Sequence, residues 1–578
     1  VETNSKIGIT KRVATLAAML LLVSAIAFPA SSNQHSRIAT DFTRFPVNSD
    51  GTVDVIVQFK TTPQAHHFQM MAAHGAKLKG RFAHVKGAAY RIPVKLLSFL
   101  ATHPDVAYVS PDRKNRPSFD EAAPAVLADV ARQQFGLDGS GVGVAVIDSG
   151  VYNHDDLQLA DKSASRIVYS ESFVAGDASV NDAYGHGTHV AGIIAGNGTD
   201  SVSGYAQQHF GIAPNANIIN LRVLDGQGGG SDSQVIAAIE RAIQLQSTYN
   251  IRVINLSLGR PVYESYTQDP LCQAVEAAWQ AGIVVVVAAG NLGRDNTFGT
   301  NGYGMIESPG NDPNVITVGA TNAHDTAERD DDTIASYSSK GPTMVDFVVK
   351  PDLVAPGNRI TSLLSPGSYF AAQYPSLEVQ PLPVCGADGT CATAAAQYLQ
   401  LSGTSMATPV VSGAAALMIQ QDPTLTPDTV KARLMKTAWK NFAAVSTSYD
   451  AQGNAYPEEY DAFTIGAGSV DVDAVLGNTD VANGGAASPA ASYDPSSGQI
   501  TLVNSSSVTW GSSSIWGNSS IWSNSTVWGP NTVFSNSIVW GDAVSGLSIV
   551  WGDSIVWGDS ADSGSSIVWS DSVVWGDN

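Results

Sequence analysis

The sequence predicts an α/β protein whose main body is a mostly parallel β-sheet flanked by helices. Two observations carry this expectation. Five short runs, Val142 to Ile147, Ile218 to Val223, Val253 to Leu258, Ile283 to Ala288 and Val315 to Val318, are apolar and rich in β-branched residues, as strands buried on both faces should be. Between them lie segments with helical spacing. Ser231 to Gln246 gathers Val235, Ile236, Ile239, Ile243 and Leu245 near one side, and Thr188 to Ala195 and Cys272 to Gln280 read as further helices. Strands alternating with helices call for crossover connections and hence parallel pairing. A chain of 578 residues is too long for one core and implies several domains. Its net charge of −21 makes duplex nucleic acid an unfavourable partner.

Residues 1–30 carry Lys6, Lys11 and Arg12 ahead of the apolar run Val13 to Phe28. That is the pattern of a signal peptide, short for a bilayer span, with Ala25 and Ala27 allowing cleavage after Ala27. An exported, secreted or cell-surface protein is therefore expected, soluble once processed.

Residues 35–118 differ in charge from the rest, with 12 Lys and Arg against 5 Asp and Glu, a net of +7. Val53, Val55, Val57 and Phe59 alternate with polar residues, the period of a half-buried strand. Pro63 to His74 suits a helix, Ala76 to Pro93 a hairpin, Val94 to Thr102 a short helix and Val106 to Ser110 a last strand. Strand, helix, two strands, helix, strand is the ferredoxin-like order, so a small α+β module over residues 31–122 is expected before the main body.

The chemistry is carried by three short motifs. Gly403-Thr-Ser405-Met-Ala-Thr-Pro409 places a serine just before the apolar run Val410 to Ile419, read as a helix with Pro409 in its first turn. A serine there sits among free N–H groups at the positive end of a helix dipole, a place to hold an oxyanion during acyl transfer. Taken alone it reads more readily as a helix cap. Val146-Ile-Asp148-Ser-Gly150 ends a buried strand, and Gly185-His186-Gly-Thr-His189-Val-Ala-Gly192 follows. Serine needs a base to remove its proton, and the base needs an acid to fix its tautomer and stabilise its charged form.

These three motifs, in the order Asp, His, Ser, resemble those of the subtilisin-like serine proteases (subtilases) almost letter for letter. The resemblance covers about residues 130–477 and implies a subtilisin-like catalytic domain over 123–477. It implies Asp148 as the orienting acid, His186 as general base and acid, and Ser405 as nucleophile of a serine endopeptidase. In Ala288-Ala289-Gly290-Asn291 it implies Asn291 as a side-chain donor to the oxyanion. Ser257-Leu258-Gly259 and Ala288-Ala289-Gly290 resemble the two walls that bracket the substrate side chain before the scissile bond. Small, apolar and without charge at their base, they suggest a broad preference for apolar residues. Residues 31–122 resemble, in position and pattern, the inhibitory propeptide of a self-processed zymogen, an intramolecular inhibitor whose positive charge suits an acidic partner. The maturation cut is expected between Arg116 and Ala125. Protein or peptide substrates are the expected partners, and the protein is expected to act as a monomer. Rival readings are an inactive subtilase-fold binding protein, which would need a defect in the triad, and a serine esterase, which usually shows Gly-x-Ser-x-Gly.

No cofactor is needed for this chemistry. Structural calcium is a candidate, because Asp156 in His154-Asp-Asp156-Leu157 matches a calcium-ligating aspartate of the family. The longer loop Gly196 to Gly211 prevents carrying over the other ligands, and Asp156 also reads as a solvated loop carboxylate. His186 and His189 have His-x-x-His spacing, but the triad accounts for the first and helix packing for the second. Lys350-Pro-Asp-Leu-Val-Ala-Pro-Gly357 is a further family-like run of structural character. Cys385 and Cys391 could pair in an exported protein, which leaves Cys272 as a buried helix residue.

Beyond Leu476 the composition changes. Residues 478–500 are rich in Gly, Ala, Ser and Asn and read as a linker. Residues 501–578 repeat a unit close to Ser-Ile-Val-Trp-Gly-Asp and hold nine of the 11 Trp. An even period keeps every Trp on one face of an extended strand, so a β-rich tail is expected. A partly ordered, adhesive tail is the alternative.

Overall fold

The computed structural model describes residues 37–39, 51–82, 86–111, 122–503 apart from 203, 297–299, 386–390, 444, 451, 483 and 495–498, and 566–568. The signal-peptide stretch, much of the expected maturation region and nearly all of the repeat tail lie outside the described residues. No helix among the described residues is long and apolar enough to cross a membrane. The chain divides into two compact units, Val1–Pro117 and Ser118–Asn578.

The first unit follows the alternation read from its sequence. Strand Thr52–Phe59 leads to helix Ala65–Ala73, strands Lys77–Phe82 and Gly87–Pro93, helix Leu96–Thr102 and strand Val106–Pro111. The four strands pair antiparallel, with Thr52–Phe59 lying between Gly87–Pro93 and Val106–Pro111. Val53, Val55, Val57 and Phe59 point to the buried face, where Met71 of the first helix and Leu96 and Leu100 of the second meet them.

The second unit is built on an eight-stranded sheet. From one edge its order is Thr333–Ile334, Ile316–Asn322, Val284–Ala288, Ile251–Leu256, Gly143–Asp148, Asn217–Arg222 and Ile167–Ser172, with Leu353–Pro356 also pairing with Ile316–Asn322. Every pairing is parallel except that of Thr333–Ile334. The five strands expected from sequence fall within a few residues of their observed bounds. Ile167–Ser172 was not anticipated: it is an edge strand, only half buried, whose serines and glutamate give no apolar run.

Helix Thr404–Gln421 lies against the sheet and is buried from Thr404 to Ile419. It begins before the expected first turn, so Pro409 stands inside it rather than at its start. A second correction concerns the linker. Ala486, Ser488 and Ala491 are buried, and Ser488 Oγ reaches both Lys431 Nζ and Asp352. Residues up to strand Gln499–Val503, which pairs with Ala490–Asp494, therefore belong to this unit. Small residues read as linker composition here serve close packing. Ser566–Val568, from the repeat region, pairs antiparallel with the short strand Gly229–Ser231.

Candidate active site

Asp148 is the last residue of a central strand, and His186 opens helix His186–Ala195. The carboxylate can only accept, so His186 Nδ1–H donates to Asp148 Oδ1, at 2.8 Å. The backbone N–H of Ser149 donates to the same oxygen at 2.7 Å. This close approach requires glycine at 187, because a Cβ there would stand 2.2 Å from the carbonyl oxygen of Gly150 and 3.1 Å from Asp148 Cβ.

A second acid, Asp182, was not singled out in the sequence. Fully buried, it accepts from Ser149 Oγ at 2.8 Å and from the backbone of Gly185 and Thr188. It thus ties the loop after the Asp148 strand to the start of the His186 helix. Burial pushes its carboxyl above the ordinary value. Burial also works against a charged His186, but the charge and hydrogen bond of Asp148, with Asp182 adding, outweigh it and raise the imidazole above its ordinary 6.5.

His189 is fully buried within its helix. Its Nε2 faces the carbonyl oxygens of Ile360 at 3.1 Å and Leu399 at 3.0 Å, and burial lowers its pKa to about 3. It is a neutral donor inside the core.

Ser405 is the second residue of its helix, and its Oγ donates a long bond of 3.3 Å to the carbonyl of Ser257. Ser257 Oγ in turn donates to the carbonyl of Ser405 at 2.8 Å. In a regular helix that carbonyl would receive the N–H of residue 409, which is proline and has none. Asn255 and Ser412 extend the chain of bonds, through Asn255 Nδ2 to Ser257 Oγ and Ser412 Oγ to Asn255 Oδ1.

Asn291 Oδ1 accepts from the N–H of Thr404 at 2.9 Å and from Thr404 Oγ1 at 3.0 Å. The two donors fix the oxygen, which leaves the amide Nδ2 on the other branch as a donor. Gly290 N–H also reaches Thr404 Oγ1, at 3.2 Å. The residues Ser257, Leu258, Gly259 and Ala288, Ala289, Gly290, all buried, therefore flank the start of the Ser405 helix.

The expectation of a charge-free base between these walls needs correction. Glu307 enters there: its Oε2 lies 2.9 Å from where a Cβ would stand on Gly259 and 2.9 Å from the same position on Gly290. Nothing in its own neighbourhood marked it, since the pocket is assembled from segments far apart in the chain.

Asp156 also differs from expectation. Its Oδ2 accepts from Tyr398 Oη at 2.6 Å, and its Oδ1 accepts from the backbone of Asp200 at 2.8 Å. Its carbonyl, with that of Ala195, receives Arg166 Nη2 at 2.6 Å, and Arg166 Nη1 takes the carbonyl of Ala216. His154 and Asp200 complete the surrounding group of potential ligands. Calcium asks for six to eight oxygens. Here both carboxylate oxygens already accept hydrogen bonds, and the Asp156 carbonyl is taken by the buried Arg166 guanidinium. The residues do not fit calcium at Asp156.

The Lys350 run is structural, as expected: Lys350 Nζ binds Asp352 Oδ2 at 2.7 Å and the carbonyl of Val315, fully buried. Cys385 stands opposite Cys391 in the register of two short antiparallel strands. Cys272 is buried in helix Pro270–Gln280, and burial raises its thiol far above the ordinary range.

Comparison with known proteins identifies the family of the chain. The family model described as the subtilase family, Peptidase_S8, matches residues 139–494. Serine protease AprX of Bacillus subtilis is 39% identical over 404 residues, 67% of this chain and 84% of that protein. Subtilisin E of the same organism is 34% identical over 392 residues, 66% of this chain and 84% of that protein. A solved structure described as a cold adapted subtilisin-like serine proteinase aligns at 31% identity and a TM-score of 0.38, over 56% of this chain and 89% of that one. The chain belongs to the subtilase family of serine proteases.

Proposed function

We propose that this serine endopeptidase cleaves peptide bonds through an acyl-enzyme on Ser405. In this reading His186 removes the proton from Ser405 Oγ and later delivers it to the leaving amine, while Asp148 holds the ring and stabilises its charged form. The developing oxyanion is met by Asn291 Nδ2 and by the N–H groups at the start of the Ser405 helix. One observation carries the reading: the 2.8 Å bond between His186 Nδ1 and Asp148 Oδ1, with both residues buried. It leaves Nε2 as the ring nitrogen able to act as a base. The long Ser405 Oγ bond to Ser257 is a weak alternative that a base can displace.

An extended substrate adds as a strand along the walls. The antiparallel pairing of Ser566–Val568 with Gly229–Ser231 supports the view that this unit has a strand edge able to accept an extended segment. The enzyme is made for export, with residues 1–30 as signal peptide, and residues 31–122 act as a propeptide that the enzyme removes itself. It acts as a monomer on protein or peptide substrates.

Mass spectrometry of the purified protein tests this reading. The wild-type chain should begin near residues 116–125, and Ser405→Ala should retain the upstream module. A Ser405→Ala protein trimmed at the same bond in a protease-free preparation would refute self-processing.

A further inference from the structure

We propose that Arg260 is a positioning residue for extended substrates. Its guanidinium sets the spacing between the strand edge Gly229–Ser231 and the pocket wall at residues 257–259, so turnover of long peptides depends on it more than turnover of single residues does. The inference rests on the peptidase reading above and deepens it.

Arg260 directly follows the wall and is buried. All three guanidinium nitrogens are engaged. Nε donates to both carboxylate oxygens of Asp232, at 3.1 and 3.0 Å, Nη2 to Asp269 Oδ1 at 2.8 Å, and Nη1 to the carbonyl of Pro261 at 3.2 Å. Asp232 is the residue after the strand edge and the first of helix Asp232–Tyr249. Asp269 caps helix Pro270–Gln280, accepting from the N–H of Leu271 at 2.9 Å. Its other oxygen accepts from Ser308 Oγ at 2.7 Å, and Ser308 and Arg260 exchange two backbone hydrogen bonds, at 2.8 and 3.0 Å. One planar cation thus ties together the strand edge, the wall and the stretch at Ser308. A guanidinium holds two carboxylates at a set separation, which a lysine ammonium, a point charge on a flexible stem, does not reproduce.

The strand edge is anchored to the triad on its other side. The N–H groups of Val223 and Leu224 donate to the carbonyl of Asp148, at 2.8 and 3.2 Å, and Asp225 N–H donates to the carbonyl of Gly229 at 2.8 Å. A Cβ on Gly230 would stand 2.7 Å from Leu224 Cδ2 and 2.9 Å from the Val223 carbonyl oxygen, so the edge runs close along this segment. The wall in turn is bonded to the helix of the nucleophile, where Ser257 Oγ donates to the carbonyl of Ser405 at 2.8 Å. Edge and wall are each fixed to a catalytic element, and Arg260 links them to each other. The edge pairs antiparallel with an extended segment, Ser566–Val568. A peptide long enough to reach both edge and wall draws on the spacing that Arg260 sets. A single residue in the pocket meets the wall alone. This difference separates a positioning role from general support of the fold, which would affect both substrates alike.

The experiment measures kcat and KM of the full-length chain on two thiobenzyl esters, those of acetyl-Leu and acetyl-Ala-Ala-Ala-Leu, for wild type, Arg260→Lys and Asp232→Asn. Asp232→Asn removes the charge pair to the edge at a partly exposed side chain, so it tests the clamp even where Arg260→Lys fails to fold. Ser405 labelling by a fluorophosphonate counts competent sites. In wild type the longer ester should be the better substrate. In each labelled variant the ratio of long-ester to short-ester kcat/KM should fall on the order of 10-fold, within the roughly 10²-fold that a misplaced positioning group can cost. An equal loss on both esters, or no loss, in labelled Asp232→Asn overturns the assignment. So does an Asp232→Asn protein that no longer labels, which would show general support of the fold, or a labelled wild type that gains nothing from the longer ester. Absence of both labelling and ester turnover in wild type would remove the peptidase reading, and the assignment with it.

Discussion

Ser257 Oγ donates a 2.8 Å hydrogen bond to the carbonyl oxygen of Ser405. Pro409 cannot supply the helical N–H that this carbonyl would otherwise receive, so a wall of the substrate pocket completes the helix that presents the nucleophile. Ser257→Ala should leave a buried carbonyl unsatisfied and lower stability by about 1–3 kcal/mol. Because the same bond fixes the first turn, kcat should fall as well. Thermal melts and steady-state kinetics on Ser257→Ala check both effects, and a variant with unaltered melting would disprove the capping role.

Asn291 has two duties on one amide. Its Oδ1 accepts from Thr404 at the helix start, and its Nδ2 is the proposed oxyanion donor. Asn291→Ala should lower kcat by about 10²–10³-fold, the range for such a donor, a figure measured in this protein family. It should also destabilise the fold modestly, since the Thr404 N–H loses its acceptor. Kinetics paired with denaturant titration separate the two losses.

The pH dependence follows from His186. Its raised pKa means that the neutral, base-competent imidazole forms only above the ordinary value of 6.5. The rising limb of kcat/KM against pH should therefore have its inflection above 6.5, and Asp148→Asn should move that inflection downward. The same shift has a stability counterpart. Protonated His186 stabilises the folded state, fully so below about 6.5, and this contribution is lost as pH rises through the folded value.

Much of this was legible in the sequence because each triad residue sits in its own short motif at a strand end or helix start. The strands of the main sheet were legible for a similar reason: burial on both faces demands continuous apolar runs. Features assembled across the chain were not. Glu307 reaches Gly259 and Gly290 only through the fold. Asp156 occupies a position that matches a calcium ligand, yet Tyr398, distant in sequence, claims its carboxylate. Ala486 and Ser488 read as linker by composition, although small side chains are also what a tightly packed segment needs. Pro409 looked like a first-turn proline because nothing local reveals that Ser257 replaces its missing donor.

Closure of the Asp156 site predicts its response to metal. The difference in melting temperature between calcium-containing and chelator-containing buffer should be the same in wild type and Asp156→Asn. A calcium effect that vanishes in Asp156→Asn would show that the carboxylate does ligate the ion.

The packing of residues 478–494 sets where the tail can be removed. A chain ending at Val503 should keep the wild-type melting temperature of the catalytic unit. One ending at Leu476 loses Ser488 from the buried Lys431 and Asp352 cluster and should melt lower or fail to fold. Equal melting temperatures would return this stretch to the status of a linker.

The central claim is that Ser405 is the nucleophile, and the most direct measurement is mapping of a covalent fluorophosphonate adduct by peptide mass spectrometry. The wild-type chain should carry a single adduct on Ser405, and Ser405→Ala should carry none and leave casein intact. An adduct on a different serine, or a Ser405→Ala protein that hydrolyses casein at the wild-type rate, would contradict it.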